Sequence, residues 1–389
     1  MSRSPLLWQR HCPACDGDKP IALHLNRLEP IDGFDMSYEV CRCGQCGFHY
    51  AARLPAPATY ANYYQRLSKY DALRDKHDIS ALDRFRAQVA VRLCLPHLPT
   101  DSGIADLGCG VGTLLDDFRQ AGFLRVMGLD PAPDAASRAR DILGLDQVKT
   151  GYFHQASDLL PMDKLGLVCL TGVLEHLPEA RKEMADLLAK LPTDTRVLLE
   201  VPALERFSGA DTEPFGEFSL EHIQYFSQTS LTRFMASFGF SPVALEIVDL
   251  VGATDSLFGL FFRADTNPLP DDMESPDPMD SYLAQSRRSL NAALARIAAQ
   301  VSGPFLIYGA GSHTVRLLPE LAERGLLNNI RGIVDGNPNL QGKYLAGQKI
   351  MPPSSLAEFH GMPVLVSSHK AQDAIARTLS SQHPLILMY

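Results

Sequence analysis

The sequence predicts an α/β chain in three parts: a small cysteine-bearing N-terminal segment, a central mostly parallel sheet flanked by helices, and a second, smaller α/β unit. Three observations carry this. Apolar strand-like runs alternate with amphipathic helical stretches from Ile104 to about Arg263, the pattern of a parallel sheet with helices on both faces. A glycine-spaced turn follows a strand twice, at Gly108-Cys109-Gly110-Val111-Gly112 and at Gly309-Ala310-Gly311. Two C-x-x-C knuckles lie near the start, ahead of both units. The divisions expected are residues 1–57, 58–265 and 266–389, the last with a linker and a leading helix.

A chain of 389 residues has room for two or three domains. Its 46% hydrophobic and 21% charged residues are ordinary for a globular protein. A net charge of −9 argues against nucleic-acid binding by bulk electrostatics. No apolar run approaches the roughly 18 residues of a membrane span, and residues 1–10 lack the pattern of an export signal. A cytoplasmic location is expected, with the eight cysteines reduced and available to metal. Oligomeric state leaves no signature.

Cys12-Pro13-Ala14-Cys15 and Cys43-Gly44-Gln45-Cys46 form the two knuckles. Such a pair places four thiolates around Zn²⁺, with Cys41 an alternative to Cys43 as the third ligand. Four protein ligands leave no open position, so the zinc is expected to be structural. Pro55 and Pro57 then lead into a segment with Tyr60, Tyr63, Tyr64 and Tyr70 at spacings that suit packing. Residues 78–95 read as an amphipathic helix.

Strands are expected at Ile104–Leu107, Arg125–Asp130, Leu165–Thr171 and Arg196–Val201, with a terminal pair around Pro242–Val248 and Leu257–Arg263. Ligands of such sheets bind beyond the carboxyl ends of the strands. Asp106, Asp130 and the run Thr171-Gly172-Val173-Leu174-Glu175-His176 meet there. Gly108, Gly110 and Gly112 let the backbone approach a ligand closely, and the helix that follows points free N–H groups at it. An acid closing the second strand, Asp130, is placed to accept from ribose hydroxyls.

Asp106 to Gly112, Asp130-Pro131 and Val173-Leu174-Glu175-His176-Leu177 together resemble the class I S-adenosylmethionine-dependent methyltransferases over roughly residues 80–263. The resemblance implies a Rossmann-like central domain with S-adenosylmethionine as cofactor. Asp106, Gly108, Cys109, Gly110, Gly112 and Thr171 would line it, with Asp130 and Pro131 at its ribose.

Ser219-Leu220-Glu221-His222-Ile223-Gln224-Tyr225-Phe226-Ser227, with the knuckles and the C-terminal unit, resembles the zinc-containing C-methyltransferases of nucleotide-linked 4-keto sugars. That resemblance implies His222 as the base that takes a proton from carbon, Glu221 as its partner and His176 as a further active-site histidine. A neutral imidazole suits proton abstraction near pH 7. Ser219 departs from the pattern, which has a tyrosine two residues before the glutamate.

An acidic, proline-rich linker is expected over Asp265–Asp280, then a helix over Tyr282–Val301 with Leu290, Leu294, Ile297 and Val301 on one face. A strand ending at Tyr308, a helix to Arg324, strands at Ile330–Asp335 and Val364–Ser367, and a helix at Gln372–Leu379 complete a second Rossmann-like unit. Gly309 and Gly311 suit a dinucleotide, yet Thr314 stands where G-x-G-x-x-G needs a third glycine or alanine. The resemblance assigns Tyr308, Gly309, Gly311, Ser312 and His313 to the diphosphate or sugar of a nucleotide-sugar substrate, with His313 where that family tends to carry lysine. The alternatives are methylation of an oxygen or of a non-sugar acceptor and, further off, an NAD-dependent oxidoreductase.

Overall fold

The computed structural model describes residues 8–60, 79–132, 134–209, 213–264 and 277–389. Expectations for residues 1–7, for Tyr63, Tyr64 and Tyr70, and for positions 265–276 of the linker fall outside the described residues.

The N-terminal strands β1 (Trp8–Gln9), β2 (Pro20–Asn26), β3 (Tyr38–Cys43) and β4 (His49–Leu54) form an antiparallel sheet in the order β1-β4-β3-β2. Both knuckles lie at its turns. Cys12 and Cys15 follow β1, while Cys43 ends β3 and Cys46 lies in the turn to β4. Gly47 closes that turn at φ +79°, and its N–H donates to the Cys43 carbonyl at 3.0 Å.

The helix Ala81–Cys94 follows. Ser80 caps it, its Oγ accepting from the Asp83 N–H at 3.0 Å. Its buried face, Ala87, Ala90, Val91 and Cys94, packs with Ile104, Leu167 and Leu198 of the central sheet.

That sheet holds β5 (Gly103–Leu107), β6 (Arg125–Asp130), β7 (Val148–Thr150), β8 (Leu165–Thr171) and β9 (Arg196–Pro202). Next in the chain, β10 (Gln224–Tyr225) leaves it and pairs with β4, Gln224 opposite Tyr50. The strands β11 (Phe240–Val248) and β12 (Ser256–Arg263) complete it in the order β11-β12-β9-β8-β5-β6-β7. β12 runs antiparallel to both of its neighbours, and the remaining pairs are parallel. The strands expected from sequence lie within two residues of those observed. β7 was not expected, since three residues are too short for a periodicity to register. The chain runs outward from β5 through β6 on one side and through β8 on the other, so a crevice opens beyond β5.

The helix expected from Tyr282 begins at Pro278. Asp277 caps it, accepting from the Met279 N–H at 2.9 Å, and proline suits the first helical position. Asp277 also pairs with His49 at 3.0 Å and Arg42 at 3.1 Å, so the end of the expected linker is a tether to the first sheet.

The C-terminal unit contains β13 (Phe305–Tyr308), β14 (Ile330–Val334), β15 (Tyr344–Leu345), β16 (Gln348–Met351), β17 (Val364–Val366) and β18 (Leu385–Ile386), ordered β15-β16-β14-β13-β17-β18. Only the β15–β16 pair is antiparallel. A continuous apolar core joins Tyr38, Val40 and Leu54 of the first sheet to Phe207, Phe218 and Tyr225, and on to Leu294, Ile307 and Val315. Among the described residues no helix is long and apolar enough to cross a membrane.

Candidate active site

The carboxyl end of β5 delivers Asp106, and the turn after it winds through three glycines with positive φ. Gly108 has φ +87°, and a Cβ there would stand 2.4 Å from the Val173 Cγ2. A Cβ on Gly110 would meet nothing within 4 Å, so that position faces open space. Gly112 differs: its Cβ would strike the Leu145 side chain at 2.5 Å, and it precedes the helix Thr113–Gln120.

Asp130, ending β6, accepts from the Gly110 N–H at 2.7 Å and the Ala132 N–H at 2.9 Å. Burial raises its carboxyl above the usual range, while those two hydrogen bonds act the other way. Asp106 is 1% exposed, and its Oδ1 is buried with no hydrogen-bond partner. Burial, then the nearby Asp130 charge, push its carboxyl up to about 8, against the pull of Arg86. A buried acceptor left open in this way fits a ligand that brings its own donor.

A cleft of about 310 Å³ takes in Asp106, Gly108, Cys109, Gly110, Asp130 and Thr171. Glu200, at the end of β9, and Arg86, paired with it, also line this cleft. Neither was singled out from sequence. Glu200 closes a predicted strand as Asp106 and Asp130 do, and that signal was available. Gly112 lines neither this cleft nor the next.

A larger cleft of about 640 Å³ shares Gly108 and Asp130 with the first, so the two adjoin. It reaches Pro131, Tyr152, Phe153, His176 and Glu221, and Tyr60 from beyond the first sheet. His176 and His222 meet edge to face, ring centroids 4.9 Å apart at 72°. His176 Nδ1 lies 3.2 Å from the Glu221 carbonyl oxygen and 3.9 Å from its carboxylate, and Nε2 lies 3.7 Å from Glu175. Ser219, where the resemblance expects tyrosine, builds the turn: its Oγ accepts from the N–H of Glu221 at 3.2 Å and of His222 at 2.9 Å.

Residues 77–245 match the family profile described as a methyltransferase domain. This segment is a methyltransferase domain. Its fold is that of the class I S-adenosylmethionine-dependent enzymes. Comparison with curated protein sequences returns no match.

Among solved structures, the chain is similar to a Burkholderia thailandensis 1,6-didemethyltoxoflavin N1-methyltransferase bound to S-adenosylhomocysteine. The two are 18% identical, with 64% of this chain and 100% of that one covered, at a TM-score of 0.43. A Synechocystis magnesium protoporphyrin IX methyltransferase is also 18% identical, covering 54% of this chain and 98% of its own, at 0.40. A glycopeptide N-methyltransferase bound to sinefungin is 14% identical, covering 46% and 93%, at 0.36. Likenesses this distant say nothing of the acceptor.

Outside the methyltransferase domain, Cys12, Cys15, Cys43 and Cys46 bring their sulfurs within 4.8 Å of one another. Cys12 and Cys46 are 3.7 Å apart, and Cys15 and Cys43 3.6 Å. Four sulfurs about 2.3 Å from a central zinc would lie near 3.8 Å from each other, so the cluster fits a tetrahedral metal. Cys41 is left out and turns its thiol to Glu39.

In the C-terminal unit, Asp335 accepts from the Ala310 N–H at 2.6 Å and the Asn337 N–H at 2.7 Å. Thr314 is fully buried and donates to the Gly309 carbonyl at 2.7 Å, so the site of the missing third glycine is filled by a turn-closing hydroxyl. Tyr308, Gly309, Gly311 and Ser312 lie outside the two clefts described above. His313 lines a third, of about 350 Å³, with His24, Arg27, Phe215, Arg287 and Arg316. Burial lowers the His313 pKa to about 4, and its ring is held between Ser367 at 3.0 Å and Tyr389 at 2.8 Å.

Proposed function

We propose that this chain transfers a methyl group from S-adenosylmethionine to a ring carbon of a nucleotide-activated keto sugar, with His222 as general base. The observation that carries the reading is the edge contact of His176 with His222: His176 and Glu221 line a cleft that shares Gly108 and Asp130 with the donor side, and His222 stands against His176 without lining that cleft itself.

S-adenosylmethionine, when bound, supplies an electrophilic methyl group. Asp106, with its open Oδ1, suits a cationic group of that donor, and Asp130 keeps lone pairs for a ribose hydroxyl. Gly108 and Gly110 leave the backbone bare beside it. His222 takes a proton from the carbon next to the acceptor's ketone. Glu221 and His176 orient the base and balance the charge it gains. Holding donor and acceptor together supplies much of the rate.

The third cleft offers an anionic acceptor Arg287 beside Phe215, while the neighbouring Arg27 and Arg316 are paired with Glu323 and Glu213. His313 is neutral there and both its ring nitrogens are engaged, by Ser367 and Tyr389, so it shapes the wall and does not bring the charge of a lysine. Zinc in the four-cysteine cluster would hold the N-terminal segment together, in a reducing cytoplasm that keeps its thiols free.

The second reading is methylation of an oxygen, or of a non-sugar acceptor. Ser219 favours it, because its hydroxyl is committed to the backbone and brings no phenol to the acceptor. Solvent deuterium exchange separates the two. With S-adenosylhomocysteine and a nucleotide-linked 4-keto sugar, the first reading expects exchange at the carbon beside the ketone, lost in His222→Ala. An O-methyltransferase would catalyse none.

A further inference from the structure

Arg10 is 6% exposed, yet among the described residues no carboxylate pairs with it. A buried guanidinium without a counter-ion is costly. What it does instead is bridge carbonyls. Its Nε donates to the Ala51 carbonyl at 2.7 Å. One terminal nitrogen donates to the Pro178 carbonyl at 2.9 Å and to the Gln224 side-chain carbonyl. The other donates to the Ile223 carbonyl at 2.7 Å, and the guanidinium lies 5.6 Å from the centre of the Tyr50 ring.

Two of those acceptors flank the active-site histidines. Pro178 comes two residues after His176, and Ile223 directly follows His222. Gln224 extends the link, its amide donating to the Leu174 carbonyl at 2.7 Å and the Leu177 carbonyl at 3.0 Å. The Ile223 N–H adds a bond to the Glu175 carbonyl at 3.0 Å. One rigid five-donor fork therefore grips both histidine segments at once. Its own root is fixed: the Arg10 N–H donates to the Ala52 carbonyl at 3.0 Å, in the strand that also pairs with Gln224.

We propose that Arg10 is a positioning residue that sets the spacing of His176 and His222, with Gln224 as its second arm. The inference rests on the roles proposed for those two histidines. It makes the N-terminal sheet part of the catalytic apparatus rather than an appendage. Lysine does not replace arginine here, because a single ammonium has no fixed fork to span Ala51, Pro178 and Ile223.

The test uses the full-length protein as purified, with S-adenosylhomocysteine bound, in three variants: Arg10→Lys, Arg10→Met and Gln224→Met. Proton–carbon spectra of the histidine rings are recorded against pH, and S-adenosylhomocysteine affinity is measured by calorimetry. The expected result is that the His176 and His222 signals and their titrations move in each variant while cofactor affinity holds. Methyl transfer to a nucleotide-linked 4-keto sugar then falls about 10²-fold, the scale of an ångström-sized misplacement. Histidine signals and titrations that overlay the wild type would overturn the proposal. Should the Arg10 variants fail to fold, Gln224→Met decides by the same readout. A wild type that transfers no methyl group to that sugar would count against the proposed acceptor, while the ring spectra still judge Arg10.

Discussion

The Asp130 carboxylate accepts a hydrogen bond from the Gly110 backbone N–H at 2.7 Å. The C-terminal unit repeats the arrangement, Asp335 accepting from Ala310 at 2.6 Å. In each unit the acid that closes the second strand holds the glycine turn after the first. The turns differ in what lies beyond. Asp106 and Gly110 open onto a cleft, whereas Thr314 closes the second turn on itself. Cutting the Asp130 bond loosens the donor loop. Asp130→Ala is expected to weaken S-adenosylhomocysteine binding by about 1.5–3 kcal/mol, the range for hydrogen bonds to a charged group, measured by calorimetry.

Asp106 gives the proposed donor site a pH signature. With its carboxyl pushed up to about 8 by burial and Asp130, the folded protein holds a proton that the unfolded chain loses above the ordinary aspartate range near pH 4. This contribution to stability is full below that range and is lost as pH rises towards 8. A cationic donor placed beside Asp106 favours the carboxylate. S-adenosylmethionine binding at pH 7 is therefore expected to release a proton. Calorimetry in buffers of different ionisation enthalpy should show the release, and Asp106→Asn should abolish it.

Gly108→Ala adds a methyl 2.4 Å from Val173 at a φ of +87°. The left-handed backbone alone costs about 1–2 kcal/mol for a residue with a Cβ. A lower melting temperature and weaker S-adenosylhomocysteine binding are expected together. Gly122→Ala, whose Cβ would meet nothing within 4 Å at φ +101°, should cost stability without touching affinity.

The cysteine cluster predicts one zinc per chain by metal analysis of protein purified without chelators. Cys43→Ser should lose the metal, and Cys41→Ser should keep it, since Cys41 faces Glu39 rather than the cluster. Chelation should lower the melting temperature, because the metal ties the turn of Cys12 and Cys15 to the turn of Cys43 and Cys46.

Much of this was legible in the residues. The strands β5, β8, β9 and β12 are apolar runs buried on both faces, and such runs register clearly. Asp130 was legible because it ends a strand before Pro131, and Asp106 because it comes two residues before the glycine turn at Gly108. Three features were not. Residues 224–225 make too short a strand to show a period, so the pairing of Gln224 with β4 stayed hidden, and with it the grip of Arg10. The start of the long helix at Pro278 was masked by proline and acid, which read as linker until Asp277 is seen to cap it. The role of Ser219 depends on a turn that no spacing rule announces.

The central claim is transfer of a methyl group to carbon, and one measurement addresses it. Protein is incubated with S-adenosylmethionine labelled with ¹³C in the methyl group and a nucleotide-linked 4-keto sugar, and the product is read by carbon NMR. The account predicts a new methyl signal bonded to a ring carbon, formed by the wild type and lost in His222→Ala. A methyl signal bonded to oxygen, or equal transfer by His222→Ala, would contradict it.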